Sequence, residues 1–442
     1  MAVSAGVSPC PPTERRRAAL VFIFVTVVLD MLALGMIIPV LPKLVEDFVG
    51  GNAGRAAEIY GLFGTGWALM QFVGSPVLGA LSDRHGRRPV ILLSNFGLGI
   101  DYIVMALAPT VGWLFLGRVI SGITSASGAT AGAYIADVTP PEKRAGAFGM
   151  LSAAFGLGFV LGPALGGVLG NIDPRLPFWV AAGLSLLNAM YGLFVLPESL
   201  PRERREAFAW RRANPMGSLT LLRSHAELFG LAIVNFLANV AHEALPTTFV
   251  LYAMYRYGWN ERTVGIALAA VGICSAIVGA GMVQPLVARF GERRVVLAGL
   301  VFGVAGFTIY GVASTAAIFW IGLPVNALWG LAGPPMQGMM TRRVKTSEQG
   351  QLQGALSSLR GIAFMMGPIL FATTFASFIG ARRDWHLPGA PYLLAAILLA
   401  AAMLLAWRVT RRESEEIANY SMLSEALPSQ AVSTQAIQAE AP

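Results

Sequence analysis

The sequence predicts an all-α integral membrane protein, with twelve transmembrane helices in two six-helix bundles. Three observations carry that expectation. The 442 residues are 55% hydrophobic and only 13% charged, with a mean hydropathy of +0.63. A soluble domain carries about 25% charged residues, so water cannot be the solvent for most of this chain. Apolar runs of roughly 20 residues, the length that crosses a bilayer as a helix, recur from end to end. One long polar break, Pro197 to His225, divides them six and six.

In chain order the runs fall near 18–41, 57–81, 90–108, 112–135, 147–170, 177–196, 226–252, 262–286, 295–313, 316–340, 351–379 and 390–407. The first follows "ERRR", is about 24 residues long, contains Asp30 and Pro39, and lacks a small-residue cleavage site. It reads as a retained span rather than a signal peptide. Gly and Pro interrupt the runs at 262–286 and 316–340. The 50 Gly and 26 Pro would signal disorder in a soluble chain. In a bilayer, small residues permit close helix approach and neighbouring helices tolerate breaks. The resulting organisation is an N-terminal tail (1–17), a first bundle (18–196), a central loop (197–225), a second bundle (226–407) and a polar tail (408–442) that reads as disordered.

The net charge of +8 is a topology signal. With the N-terminus cytoplasmic, 23 of the 32 Lys and Arg fall on cytoplasmic segments, 7 fall outside, and Arg118 and Arg360 lie within spans. This is the positive-inside bias, and it predicts a cell inner (cytoplasmic) membrane protein with both termini in the cytoplasm. Nucleic acid is therefore excluded as a partner. Two scattered Cys and four His give no metal site or structural disulfide, and no P-loop is present, so neither a cofactor nor an ATP-driven enzyme is expected.

The turn after the second run reads "GALSDRHGRRPV", Gly79 to Val90. Positive-inside bias explains Arg84, Arg87 and Arg88, but not Asp83, since acids contribute little to orientation. Asp83 sits four residues before Arg87, and Asp137 ends the fourth span, so both are candidate partners for Arg87. A shift of 205 residues lands Arg84, Gly86 and Arg88 on Arg289, Gly291 and Arg293, while Asp83 lands on Ala288. Two six-span halves with a basic turn after the second span of each indicate a parallel internal repeat.

Here the residues reach a family. "GALSDRHGRRPV" resembles the signature between spans two and three of the major facilitator superfamily. "LGRVISGITSASGATAGAYIAD" (Leu116–Asp137) resembles its fourth-span motif around a buried Arg, and "GLGFVLGPALGG" (Gly156–Gly167) its fifth-span antiporter motif. The wording of "SDRHGRRPVILLSNFGLGIDYIVMALAP" and "QGQLQGALSSLRGIAFMMGPIL" is similar to the tetracycline/proton antiporter group. The resemblance implies a latch between the halves built on Asp83, Arg84, Arg87, Arg88 and Asp137, and antiport through the segment carrying Gly158, Gly162 and Pro163. It also exposes departures. That group carries a His where Ser275 aligns and an acid near Gly303.

Charges inside spans cost at least ~2.5–3.5 kcal/mol each, so the chain must pair or use them. Asp101 and Arg118 lie at matching depths either side of the turn near Thr110, which allows a direct ion pair, structural or coupling. Asp30 has no nearby cation in sequence and sits in a stretch whose Gly and Pro suggest a kinked helix beside a cavity. It reads as a proton carrier or substrate ligand. His242 and Glu243 are adjacent, so a regular helix would aim them about 100° apart, one toward a cavity and one toward a neighbour. His242 is equally a satisfied core residue. Gly158, Gly162 and Gly166 make a flat face on which span five packs against and rocks along a neighbour in the other half. Gln71, Asn326, Trp329, Gln337 and Arg360 are candidate substrate contacts, though packing explains the uncharged four equally well.

Taken together, the expectation is a secondary active transporter that exports a tetracycline-like or other amphipathic drug in exchange for protons by alternating access. Its partners are that small molecule, protons and the lipid bilayer, and it works as a monomer. Two alternatives stay open: a metabolite symporter or facilitator on the same fold, and a non-transporting membrane sensor.

Overall fold

A computed structural model describes residues 12–124, 127–140, 143–201, 203, 205, 220–223, 226–345 and 348–426. Residues 1–11 of the N-terminal tail with Cys10, residues 206–219 of the central loop and residues 427–442 lie outside the described residues. In the first bundle, α1 (Pro12–Ile37) and α2 (Leu41–Phe48) form one crossing, bent at the Pro39 turn. α3 (Ala53–His85), α4 (Arg87–Ala106), the pair α5 (Val111–Thr124) and α6 (Ser127–Val138), α7 (Arg144–Gly170) and α8 (Leu176–Val195) complete it. The short α9 (Thr220–Arg223) lies in the central loop.

The second bundle repeats the pattern with more breaks. Its crossings are α10 (Ala226–His242) with α11 (Ala244–Tyr257), α12 (Glu261–Ile277) with α13 (Val283–Phe290), and α14 (Glu292–Val312). α15 (Ala316–Ala327) with α16 (Gly333–Thr341), α17 (Gln349–Ile379) and α18 (Ala390–Ala426) follow. Among the described residues, ten crossings are long and apolar enough to span a membrane by composition, and α3 and the α5–α6 pair bring the number to twelve. The two spans rich in Gly and Pro change their winding at mid-span. Val278–Met282 forms a π turn between α12 and α13, and Leu328–Leu331 forms a 3-10 turn between α15 and α16.

The ends differ from expectation at both tails. α1 already begins at Pro12, inside the predicted N-terminal tail. α18 continues to Ala426, so the segment after Arg408 is helical rather than disordered that far. No Gly or Pro occurs between Tyr392 and Leu427 to stop it. Between crossings, the chain reverses where the sequence supplies the means. Asn52 and Asn260 cap α3 and α12 by accepting from Arg55 and Thr263 backbone N–H groups, each at 3.0 Å. Gly86 and Gly291 take φ of +106° and +80° at the two repeat-related turns.

The repeat also relates charges. The shift of 205 carries Arg87 onto Glu292 and Asp137 onto Arg342. Both pairs are formed, with signs exchanged: Arg87 Nε bonds Asp137 Oδ2 at 3.1 Å, and Arg342 Nη1 bonds Glu292 Oε1 at 2.8 Å.

The two bundles meet along α3/α17 and α7/α12, with α11 against α2 and α3. An added Cβ on Gly64 would come within 2.8 Å of Pro368, and one on Gly265 within 3.0 Å of Gly167 Cα. Thr65 donates to the Met365 carbonyl across this interface at 2.9 Å. These close contacts run from the end away from the basic loops to mid-membrane, where Gly361 meets Phe72 and Gly272 meets Val160. The fifth-span glycines are packed as tightly as expected but against a different neighbour. Gly162 and Gly166 face α1, where added Cβ atoms would come within 2.7 Å of Gly35 Cα and 2.6 Å of Met36 Cα. Pro163, Gly167 and Gly170, on another face of α7, meet α12 of the second bundle. The flat stripe thus seals the first bundle internally, and the neighbouring stripe makes the inter-bundle contact.

Candidate functional site

Where the bundles separate, two contiguous cavities open between them. The larger, about 420 Å³, lies on the inner face of the second bundle, with Asn235, Asn239, His242, Asn326, Trp329 and Arg360 in its wall. The smaller, about 270 Å³, lies at the bundle interface, with Tyr60, Trp67, Arg118, His242 and Glu243 in its wall. His242 and Phe364 line both.

His242 and Glu243 both reach the wall of the smaller cavity, and they do so from different directions. α10 ends at His242 and α11 begins at Ala244, but Glu243 keeps helical backbone angles of φ −69° and ψ −12°, and its side chain lies against Gly367 of α17. The His242 ring packs on Trp329 with centroids 5.8 Å apart, and Trp329 packs in turn on Phe307 at 5.7 Å. Trp329 also covers Gly303, whose added Cβ would come within 2.9 Å of the indole. An acidic side chain there would need the indole to move.

Asn326, Trp329 and Arg360 line the larger cavity as expected. Gln71 lines neither, and Gln337 donates to Gln353 at 3.3 Å instead. Ser275, at the departure from the family pattern, is in the cavity wall.

Asp101 and Arg118 are both buried at the α4/α5 contact, but they do not form the direct ion pair. Neither Asp101 oxygen has a hydrogen-bond partner, and its carboxyl lies against Gly117, the residue before Arg118. The Arg118 guanidinium turns toward the smaller cavity and stacks over Trp67 at 5.6 Å. Depth agreement thus held them near each other, while the rotation of α5 aimed Arg118 elsewhere.

Asp30 is buried in the core of the first bundle and lines neither cavity. Asn188 Nδ2 donates to Asp30 Oδ1 at 2.9 Å and to the Thr26 carbonyl at 3.1 Å. With its amide oriented to suit the network, Asn95 donates to both Asp30 oxygens at 3.2 and 3.1 Å and accepts from Asn188 at 3.1 Å. Sequence reading does not single out Asn95 or Asn188, although a mid-span amide is the same signal that flagged Gln71.

At the basic end, Arg87 is a hub. Its guanidinium binds Asp83, Asp137 and Ser82, and its backbone N–H donates to Glu198 Oε1 at 2.8 Å. Glu198 thereby caps the N-terminus of α4, a role the sequence reading missed. Arg88 donates to the Leu193 carbonyl at 2.6 Å, and Arg84 is exposed. Every Arg87 partner here belongs to the first bundle or the start of the central loop. In this state the cluster braces one bundle and does not bridge the two.

Comparison with known proteins agrees with this architecture. The sequence profile of the Major Facilitator Superfamily matches residues 23–368 and 231–429. The chain is 38% identical to the tetracycline resistance protein, class C, of Escherichia coli over 85% of its own length and 95% of that protein. It is 37% identical to the class G protein of Vibrio anguillarum over 84% of its length and 93% of that protein. Its fold is similar to the crystal structure of a bacterial homologue of the human lysosomal transporter Spinster in an inward-facing, unoccupied conformation. That match has a TM-score of 0.71 and 17% identity, covering 92% of this chain and 98% of the other. Twelve helical crossings in two related bundles, ten of them long and apolar enough to span a membrane among the described residues, together with these matches, make this chain a multi-pass membrane transporter that belongs to the Major Facilitator Superfamily, in its tetracycline-resistance-like group.

Proposed function

We propose that the protein is a proton-driven antiporter that exports an amphipathic small molecule from the cytoplasm by alternating access. One observation carries the reading: a cavity with Arg118, Trp67, His242 and Glu243 in its wall lies between the two bundles, whose close contacts run from the end away from the basic loops to mid-membrane. By the positive-inside rule the basic end is cytoplasmic, so this is the cytoplasm-open state. Export then requires the bundles to rock, closing the basic end and releasing the α3/α17 and α7/α12 contacts.

A proton gradient has enough work for this. One charge crossing 100 mV yields about 2.3 kcal/mol and each pH unit adds about 1.4 kcal/mol, which sustains a substrate gradient of tenfold or more. Asp101 is the favoured carrier in the first bundle. A buried carboxylate with no partner is costly, and either a proton or the nearby Arg118 guanidinium relieves that cost. Helix rotation that exchanges one for the other couples proton binding to the rocking motion. Asp30, fixed by its two amides, is the second candidate carrier. The names of the relatives support a drug as substrate, whereas Ser275 and Gly303 argue for one other than tetracycline.

The test uses inverted membrane vesicles whose lumen is made acid, so that protons run outward, and a panel of antibiotics. Accumulation of a panel member, abolished by a protonophore and lost in Asp101→Asn, is the expected result. Accumulation insensitive to the protonophore would remove the antiport reading. Gradient-independent equilibration alone would favour the facilitator alternative.

A further inference from the structure

We infer that the larger cavity selects an aromatic organic anion, with Arg360 binding its acidic oxygen. The inference rests on reading this cavity as the substrate site and names the class of substrate it takes.

Charge is the first argument. Arg360 is exposed within the span, toward the cavity, and among the described residues it has no ion-pair or hydrogen-bond partner. The wall of this cavity includes no Asp or Glu. The other charged groups nearby, Arg118 and Glu243, line the smaller cavity. A guanidinium exposed to an open cavity keeps its charge and leaves its planar donors free for a ligand anion, and they suit a carboxylate.

The chemistry of the rest of the wall is the second and independent argument. Asn239 is already committed, donating to the Asn235 carbonyl at 2.7 Å, and the Asn326 Nδ2 group is closed off from the cavity. The remainder of the wall is aromatic, with Trp329, Phe307 and Phe364 providing flat apolar surface for a ring system. An aliphatic cation would find no acid here, and a neutral aromatic would leave Arg360 without a counter-charge.

The test is binding to the purified full-length protein in detergent, read by dansyl fluorescence. Three probes share one ring system: dansylglycine (a carboxylate), dansylamide (neutral) and dansylcadaverine (a cation). Dansylglycine is expected to bind at least tenfold more tightly than the other two, corresponding to about 1.4 kcal/mol. Arg360→Gln should weaken dansylglycine tenfold or more and leave dansylamide within about twofold, which also certifies that the variant is folded. Arg360→Lys should retain part of the preference. Equal affinity for the three probes, no dansylglycine binding at millimolar concentration, or equal effects of Arg360→Gln on all three would overturn the inference. If Arg360→Gln does not fold, the ranking of the probes by the native protein decides alone. Because this assay involves no gradient, vesicles that fail to accumulate substrate would refute antiport and leave the anion preference standing.

Discussion

Asp30 and Asn188 are 158 residues apart, yet the amide donates to the carboxyl at 2.9 Å. Together with Asn95 they form a buried polar network joining α1, α4 and α8. Such a network stabilises only when every member is satisfied, because an orphaned buried polar group costs roughly 1–3 kcal/mol. Asn188→Leu is therefore expected to lower the thermal midpoint of the purified protein in detergent. In the Asp30→Asn, Asn188→Leu double variant the loss should be smaller than the sum of the single losses. Strict additivity would mean that the two side chains are not energetically coupled. Asp101 presents the opposite case, with a cation close by and no bond formed. That difference separates a residue held in place from one left available to a proton.

Helix breaks decide the site at the scale of elements. The 3-10 turn at Leu328–Leu331 carries Trp329 into the cavity wall with Asn326. Glycine placement decides which helices touch. Replacing a helix-interior Gly by Ala ordinarily stabilises by roughly 0.5–1 kcal/mol, since Gly loses more backbone entropy on folding. Within α7 that sign should depend on position. At Gly146 nothing lies within 4 Å of an added Cβ, so Gly146→Ala should be neutral or stabilising. At Gly162 the Cβ would come within 2.7 Å of the Gly35 backbone, so Gly162→Ala should lower the thermal midpoint and the yield of folded protein. Equal midpoints for the two variants would contradict the α1/α7 contact described above.

Orientation and access belong to the whole molecule. If the basic end faces the cytoplasm, a reporter fused after Glu203 should read cytoplasmic and one fused after Arg383 periplasmic. The cavity should then be reached from the same side as the first reporter. In a Cys10→Ser, Cys274→Ser background, Asn235→Cys is expected to react with a membrane-impermeant maleimide in inverted vesicles and to be protected in intact cells. Labelling from the outside of intact cells would mean that the resting protein is open at the other end. The charge-exchanged pairs Arg87–Asp137 and Glu292–Arg342 occupy equivalent places at the basic end of the two bundles. A rigid-body motion of one bundle against the other would carry each pair as a unit.

The number and length of the spans, their division into six and six, the internal repeat and the sidedness implied by Lys and Arg were all legible in the amino-acid sequence. Each is a one-dimensional property: a hydrophobic length matched to a bilayer, or a charge count on alternate loops. The mid-span charges were legible for the same reason, because ionisable residues are rare in apolar runs. What they do was decided by tertiary structure. Helical periodicity tells which residues share a face, but not which neighbour covers that face. So the Gly158–Gly166 stripe was recognisable as a packing surface while its partner, α1, was not. Matching depths brought Asp101 and Arg118 together in expectation, whereas the rotation of α5 turned the guanidinium onto Trp67. Gln71 and Gln337 carry the same sequence signal as Asn326, and only the packing of the second bundle put Asn326 in the cavity wall. A break such as the π turn at Val278–Met282 resets the angular phase of everything beyond it.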